Sequence, residues 1–138
     1  MVEQYTGFLM IAIPTTEEAA MMWVGSWRNQ YGSMLEITSD ANGRIDGSFQ
    51  TAVDSSIKGQ QVAVVGVHQG DLISFAVSGD AIVVSWTGLL HDDRIETLWH
   101  LVASEKLTAD AEGAPARKKS LGVWEAITTS AGTFERIT

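Results

Sequence analysis

Between Gly25 and Ser104 the chain alternates between two faces with a period of two, and short turn signals interrupt it again and again. Trp27, Asn29 and Tyr31 share one face against Arg28 and Gln30. Ser33, Leu35 and Ile37 alternate with Glu36 and Thr38, and Ile45, Gly47, Phe49, Thr51 and Val53 with Arg44, Asp46, Ser48 and Gln50. Val62–His68 is apolar on both faces. Ile73, Phe75 and Val77, then Ile82, Val84, Trp86 and Gly88, then Ile95, Thr97, Trp99 and Leu101 continue the pattern. Such a period belongs to strands, where successive side chains point to opposite sides. The breaks are Asp40-Ala41-Asn42-Gly43, Gln69-Gly70-Asp71, Ser78-Gly79-Asp80 and His91-Asp92-Asp93, which suit tight reversals. Reversals this short join antiparallel neighbours, because parallel crossovers need a dozen or more residues. Residues 105–121 lose the pattern and read as a long, mobile loop, and a last strand runs from about Val123 to Ile137. The expected fold is therefore all-β: an eight-stranded antiparallel up-and-down barrel, whose closure removes exposed strand edges and leaves room for one small ligand.

Residues 1–24 read differently. Phe8–Ile13 is apolar on both faces and ends at Pro14, and Thr15 with Glu18 has the spacing of a capping box that opens a short helix over residues 17–23. The expected organisation is an N-terminal extension, 1–24, packed on a barrel, 25–138; the 138 residues suit a single domain. The apolar run falls short of the roughly 20 residues of a membrane span and lacks a cationic flank, so no signal peptide is evident. With no cysteine the chain has no disulfide and no thiolate chemistry, and its compartment stays open. A net charge of −8 argues against nucleic acid and against an anionic membrane surface as partners.

Chemistry-bearing residues are few. His91-Asp92-Asp93 lies in a turn with no third ligand at useful spacing and reads as solvated, not as a metal site. His100 points outward, and His68 ends a strand without an evident partner. No nucleophile elbow and no phosphate loop is present. Asn29 is the most informative polar residue, because an inward asparagine in a barrel must find partners in protein, water or ligand. Trp27 reads as core; Trp86 and Trp99, beside Asn29, Ser33 and Thr51, read as walls of a ligand pocket. The outward apolar residues, Val62–Val67, Val83 and Leu98, point to assembly with further copies.

Gly25-Ser26-Trp27-Arg28-Asn29-Gln30-Tyr31-Gly32-Ser33 resembles the first strand and turn of the avidin/streptavidin family. Gly47-Ser48-Phe49-Gln50-Thr51-Ala52-Val53 is similar to its third strand and the start of its lid loop. Trp86-Thr87-Gly88, Thr97-Leu98-Trp99-His100-Leu101 and Gly132-Thr133-Phe134 resemble its last three strands. The resemblance covers residues 25–138 and implies a non-enzymatic binder of biotin, without cofactor or metal, in homodimers or homotetramers; family members are often secreted. It implies that Asn29 and Ser33 donate to the ureido oxygen of the ligand and that Thr51 accepts from a ureido N–H. Tyr31, Val84 and Leu101 belong to the implied pocket, Val53 to the lid, and Trp86 and Trp99 to the walls. Trp124 matches a tryptophan lent by a neighbouring subunit.

Several positions depart from the family pattern. Phe49 stands where a tyrosine donor is usual, Gly132 where an Asp or Asn acceptor is usual, and Gly79 where a third aromatic wall is usual. Ile82 and Val84 replace hydroxyl residues. Each lost polar partner is worth roughly 0.5–3 kcal/mol. The expectation is biotin binding of weakened affinity; the alternative is an avidin-fold protein that holds a more apolar ligand or serves as an oligomeric scaffold.

Overall fold

The computed structural model describes residues 22–52, 60–108, 117–120 and 125–137, with the backbone alone at 105–108 and 117–120. Ten strands form among the described residues: β1 (Gly25–Asn29), β2 (Met34–Ser39), β3 (Arg44–Gln50), β4 (Gln61–Gln69), β5 (Leu72–Gly79), β6 (Ile82–His91), β7 (Arg94–Ala103), β8 (Glu105–Thr108), β9 (Arg117–Ser120) and β10 (Ile127–Arg136). Eight of them close a barrel in the order β1-β10-β7-β6-β5-β4-β3-β2, all neighbours antiparallel. The eight-stranded barrel expected from the alternation is thus the fold.

Two segments differ from expectation. β8 and β9 pair with each other as a separate two-stranded sheet, within the stretch read as an open loop. β8 follows β7 after Ser104 alone, and β10 starts at Ile127, later than the last strand was expected to begin. The helix expected over 17–23 lies outside the described residues up to position 21, as does most of the N-terminal extension. Its end, Met22–Val24, enters the fold, with Trp23 fully buried in the core.

Local chemistry accounts for the turns. Asn42 (φ 60°) and Gly43 (φ 74°) take the left-handed conformation between β2 and β3, and Asp92 (φ 52°) and Asp93 (φ 58°) take it between β6 and β7. Inward glycines let the strands curve tightly around so small a barrel. A Cβ at Gly47 would run into the Glu36 carbonyl, one at Gly66 into the Ser74 carbonyl, and one at Gly88 into the Glu96 carbonyl.

The interior is continuous and aromatic in its middle. Trp86 stacks on Phe75 with centroids 5.0 Å apart and 17° between planes, and Phe49 lies 5.0 Å from Trp86. Phe134 meets Phe49, Phe75 and Trp86 edge-on at 6.5, 5.8 and 6.0 Å. An up-and-down barrel sends alternate turns to opposite ends. The β1–β2 and β5–β6 turns, the end of β3, the start of β4 and the end of β7 sit at one end. The other turns, the start of β1 and the end of β10 form the opposite end, here called the floor.

At the floor Arg136 ties the last strand to the segment that enters β1. Its guanidinium lies 4.1 Å from the Trp27 ring centroid and donates to the carbonyls of Met22 (2.6 Å) and Val24 (3.1 Å), and its Nε donates to Asp93 Oδ1 (3.3 Å). A guanidinium over a buried indole adds about 0.5–2 kcal/mol, and charge-assisted hydrogen bonds add about 1.5–3 kcal/mol each before side-chain entropy is subtracted. Replacing Arg136→Ala is expected to destabilise the barrel by about 2–4 kcal/mol, read as a lower urea midpoint, with little change in far-UV circular dichroism of the folded state.

Candidate functional site

The end opposite the floor gathers the polar inner-face residues. β1 stops at Asn29 because the side chain there ends the strand. Its Oδ1 accepts from the backbone N–H of Tyr31 (3.0 Å) and of Ser33 (2.9 Å), an Asx-type turn. Backbone bonds close the same turn, Gly32 N–H to the Asn29 carbonyl and Asn29 N–H to the Ser33 carbonyl. Asn29 Nδ2 makes no hydrogen bond among the described residues, so this donor is available on a half-buried side chain. Ser33 is buried beside the end of β3, and its Oγ accepts from Ala52 N–H (2.9 Å) and lies 3.3 Å from Thr51 Oγ1. Asn29, Ser33 and Thr51 therefore converge from the β1–β2 turn and the exit of β3.

Tyr31 does not join them. Alternation breaks at the Asx turn, and Tyr31 lies in the turn with half its surface (50 %) exposed. Val53 and Trp124 lie outside the described residues.

Apolar residues complete the inner wall. Val84 pairs across β6–β7 with Leu101, and Trp86 with Trp99. Val84 and Trp86 are buried, and Trp99 and Leu101 pack half-buried on the core. Trp86 belongs to the aromatic cluster with Phe49, Phe75 and Phe134, so it is core and wall at once. Phe49 sits in the same cluster and supplies no hydroxyl.

Gly132 is buried on β10, and the space that a side chain would occupy there is already contested. A Cβ would meet Trp99 Cδ1 at 3.1 Å, Trp99 Nε1 at 3.2 Å and Gln30 Nε2 at 3.5 Å. The Trp99 indole N–H donates to the Ala131 carbonyl (3.3 Å). Gln30 also donates to that carbonyl (3.3 Å) and accepts from Thr133 N–H (3.0 Å), so its amide bridges the β1–β2 turn to β10. Thr97 Oγ1 donates to the Gly132 carbonyl (2.8 Å). Gln30 and Thr97 were missed as site residues. Gln30 stands on the face opposite Asn29 in the alternation, and only the turn swings it to β10.

The histidines stay outside this site. His91 approaches Asp92 (3.4 Å) in an exposed turn, and His100 lies outward beside Thr129 Oγ1 (2.9 Å). His68 has a partner that the sequence did not reveal, the Asp40 carbonyl at 2.6 Å on the floor. Among the described residues no three His, Cys, Asp or Glu side chains gather as metal ligands, and no helix is long and apolar enough to cross a membrane.

The residues gathered at this end, Asn29, Ser33, Thr51, Thr97, Trp99 and Gly132, are all uncharged. The arrangement can hold a small polar head by hydrogen bonds against aromatic surface, and it offers no acid–base pair. The family model described as the avidin family matches residues 17–136. The chain belongs to the avidin family. Membership places it among non-enzymatic biotin-binding proteins that need no cofactor. No curated protein sequence matches it. Among solved structures it is similar to core-bradavidin, at 29 % identity and a TM-score of 0.62, covering 80 % of this chain and 96 % of that one. The bradavidin2–biotin complex aligns at 20 % identity and a TM-score of 0.62, over 91 % of this chain and 100 % of that one. The rhizavidin–biotin complex aligns at 22 % identity and a TM-score of 0.63, over 83 % and 92 %.

The double use of Asn29 generates a test. Asn29→Ala leaves two turn N–H groups, one of them at buried Ser33, without their acceptor, and is expected to lower stability by about 1–2 kcal/mol in urea denaturation. Asn29→Asp keeps the acceptor and is expected to stay within about 0.5 kcal/mol of the parent chain.

Proposed function

We propose that this avidin-family chain binds biotin at the end of the barrel opposite the floor, with affinity below that of family members that keep every polar partner. The observation that carries the reading is the convergence of Asn29, Ser33 and Thr51, with the Asn29 Nδ2 donor uncommitted. In this reading Asn29 and Ser33 donate to the ureido oxygen, Thr51 accepts from one ureido N–H, and Trp86, Trp99 and Phe49 flank the rings. Phe49 removes one donor and Gly132 one acceptor. At about 1.4 kcal/mol per factor of ten, two losses of roughly 0.5–3 kcal/mol each amount to about one to four orders of magnitude.

One observation favours a second reading, a more apolar ligand. Trp99 already crowds the space around Gly132, so the wall there is indole where a polar acceptor would otherwise project. Calorimetry with biotin separates the two. A dissociation constant in the micromolar range or tighter is expected, weakened by Asn29→Asp about 5- to 150-fold, the equivalent of roughly 1–3 kcal/mol. No heat at high biotin concentration supports the apolar ligand instead.

We also propose that the chain is a homo-oligomer, a dimer at least. Of the Val62–Val67 run, Val64 is buried inside the barrel and Val62 half-buried, whereas Val65 and Val67 (62 % exposed) face outward. Leu98 is 58 % exposed on β7. Exposed Val83, Val102 and Ile127 stand side by side across β6, β7 and β10. An apolar outer row of this kind favours burial against another copy, at about 25 cal/mol per Å². Leu98→Glu is expected to shift the mass seen by light scattering toward smaller species without loss of the β spectrum. A parent chain that is monomeric at micromolar concentration refutes the assembly.

A further inference from the structure

The floor of the barrel buries three polar atoms that meet no hydrogen-bond partner among the described residues: Trp23 Nε1, Asp40 Oδ1 and His68 Nδ1. They come from three separate elements, the segment entering β1, the turn after β2 and the end of β4, yet they belong to one cluster. Trp23 backbone N–H donates to Asp40 Oδ2 (2.9 Å), His68 Nε2 lies 2.6 Å from the Asp40 carbonyl, and the Trp23 and His68 rings are 6.1 Å apart. Trp23 is fully buried and Asp40 only 2 % exposed. Buried polar groups are rarely left unpaired, and these three sit on residues that are joined to one another through their other atoms, so one occupant can account for all of them.

We propose that this cluster is a binding site for a single buried water molecule that bridges Trp23 Nε1, Asp40 Oδ1 and His68 Nδ1. The donor and acceptor inventory selects the occupant. The Asp40 carbonyl can only accept, so His68 Nε2 carries a proton, and in the neutral ring Nδ1 is an acceptor. The three atoms then offer one donor, the Trp23 N–H, and two acceptors. Water accepts once and donates twice to match them. With an imidazolium the set becomes two donors and one acceptor, and water matches that as well by turning over. Other small occupants fail. A metal cation would find two ligand atoms and face an indole N–H that cannot ligate. An anion would face the Asp40 carboxylate, and an ammonium ion has no lone pair for Trp23. Three hydrogen bonds are the usual complement of a buried water. The bridge would lock the entering segment to the β2–β3 turn and to β4 at the end remote from the ligand site.

A crystal structure at about 1.5 Å resolution tests this directly. The expected result is one well-ordered peak within about 2.7–3.2 Å of all three atoms. An empty site, a peak that reaches fewer than three, or a direct bond from Trp23 Nε1 to Asp40 or His68 overturns it. In solution, oxygen-17 relaxation dispersion of the full chain is expected to count one fewer long-lived water in Trp23→Phe than in the parent. His68→Leu serves the same comparison should Trp23→Phe not fold. An unchanged count in a folded variant overturns the proposal.

Discussion

The seam between β1 and β10 is the constraint on which the other contacts hang. Three residue pairs hold it, Trp27 with Arg136, Arg28 with Glu135 and Asn29 with Phe134, whereas β10 follows β7 over nine. Without the seam the sheet has two free edges and an open core. Side chains reinforce it at both ends. On the floor, Arg136 covers Trp27 and takes two carbonyls of the entering segment. Beyond Asn29, where the ladder stops, the Gln30 amide takes the place of a peptide group, donating to Ala131 and accepting from Thr133. The seam thus continues past the end of its own strand, and it runs along the residues that shape the candidate site.

Asn29 links that seam to binding. One oxygen accepts from two turn N–H groups and fixes where Ser33 sits, and the nitrogen of the same amide is left as a donor. Preorganisation follows, because the rotamer that caps the turn is the rotamer that presents Nδ2. A donor held this way loses little entropy when a ligand arrives. Ser33, fixed through Ala52 N–H, ties the turn to the exit of β3 and so to Thr51.

The barrel was legible in the sequence because alternation is local: each strand from Leu35 to Leu101 except β4, which is apolar on both faces, declares its inner face by residue type, and the turn residues mark the reversals. What stayed hidden depends on contacts distant in sequence. Tyr31 follows the alternation on paper, but the Asn29 side chain ends the strand two residues earlier. The β8–β9 hairpin has four-residue strands rich in charge, Glu105-Lys106-Leu107-Thr108 against Arg117-Lys118-Lys119-Ser120, with no apolar face to announce it. Trp86 was expected as a wall, and its place in a four-ring cluster required knowing which aromatics meet. The bond between His68 and Asp40 joins residues 28 apart, and nothing in either neighbourhood foretells it.

The departures from the family pattern are not independent of each other. Gly132 leaves room beside β10, and the Trp99 indole with the Gln30 amide stands close around that room. Both donate to the Ala131 carbonyl, so the polar edge of Trp99 is turned toward the barrel and its remaining surface is apolar. A carboxylate at position 132 would therefore press on the Trp99 ring, which would have to give by a few tenths of an ångström, and would crowd the patch that extends the seam. The absence of a side chain at position 132, the placement of Trp99 and the Gln30 bridge to β10 thus form one linked arrangement. At this end the polar groups therefore stand on the Asn29–Ser33–Thr51 side and the aromatic surface on the Trp99 side.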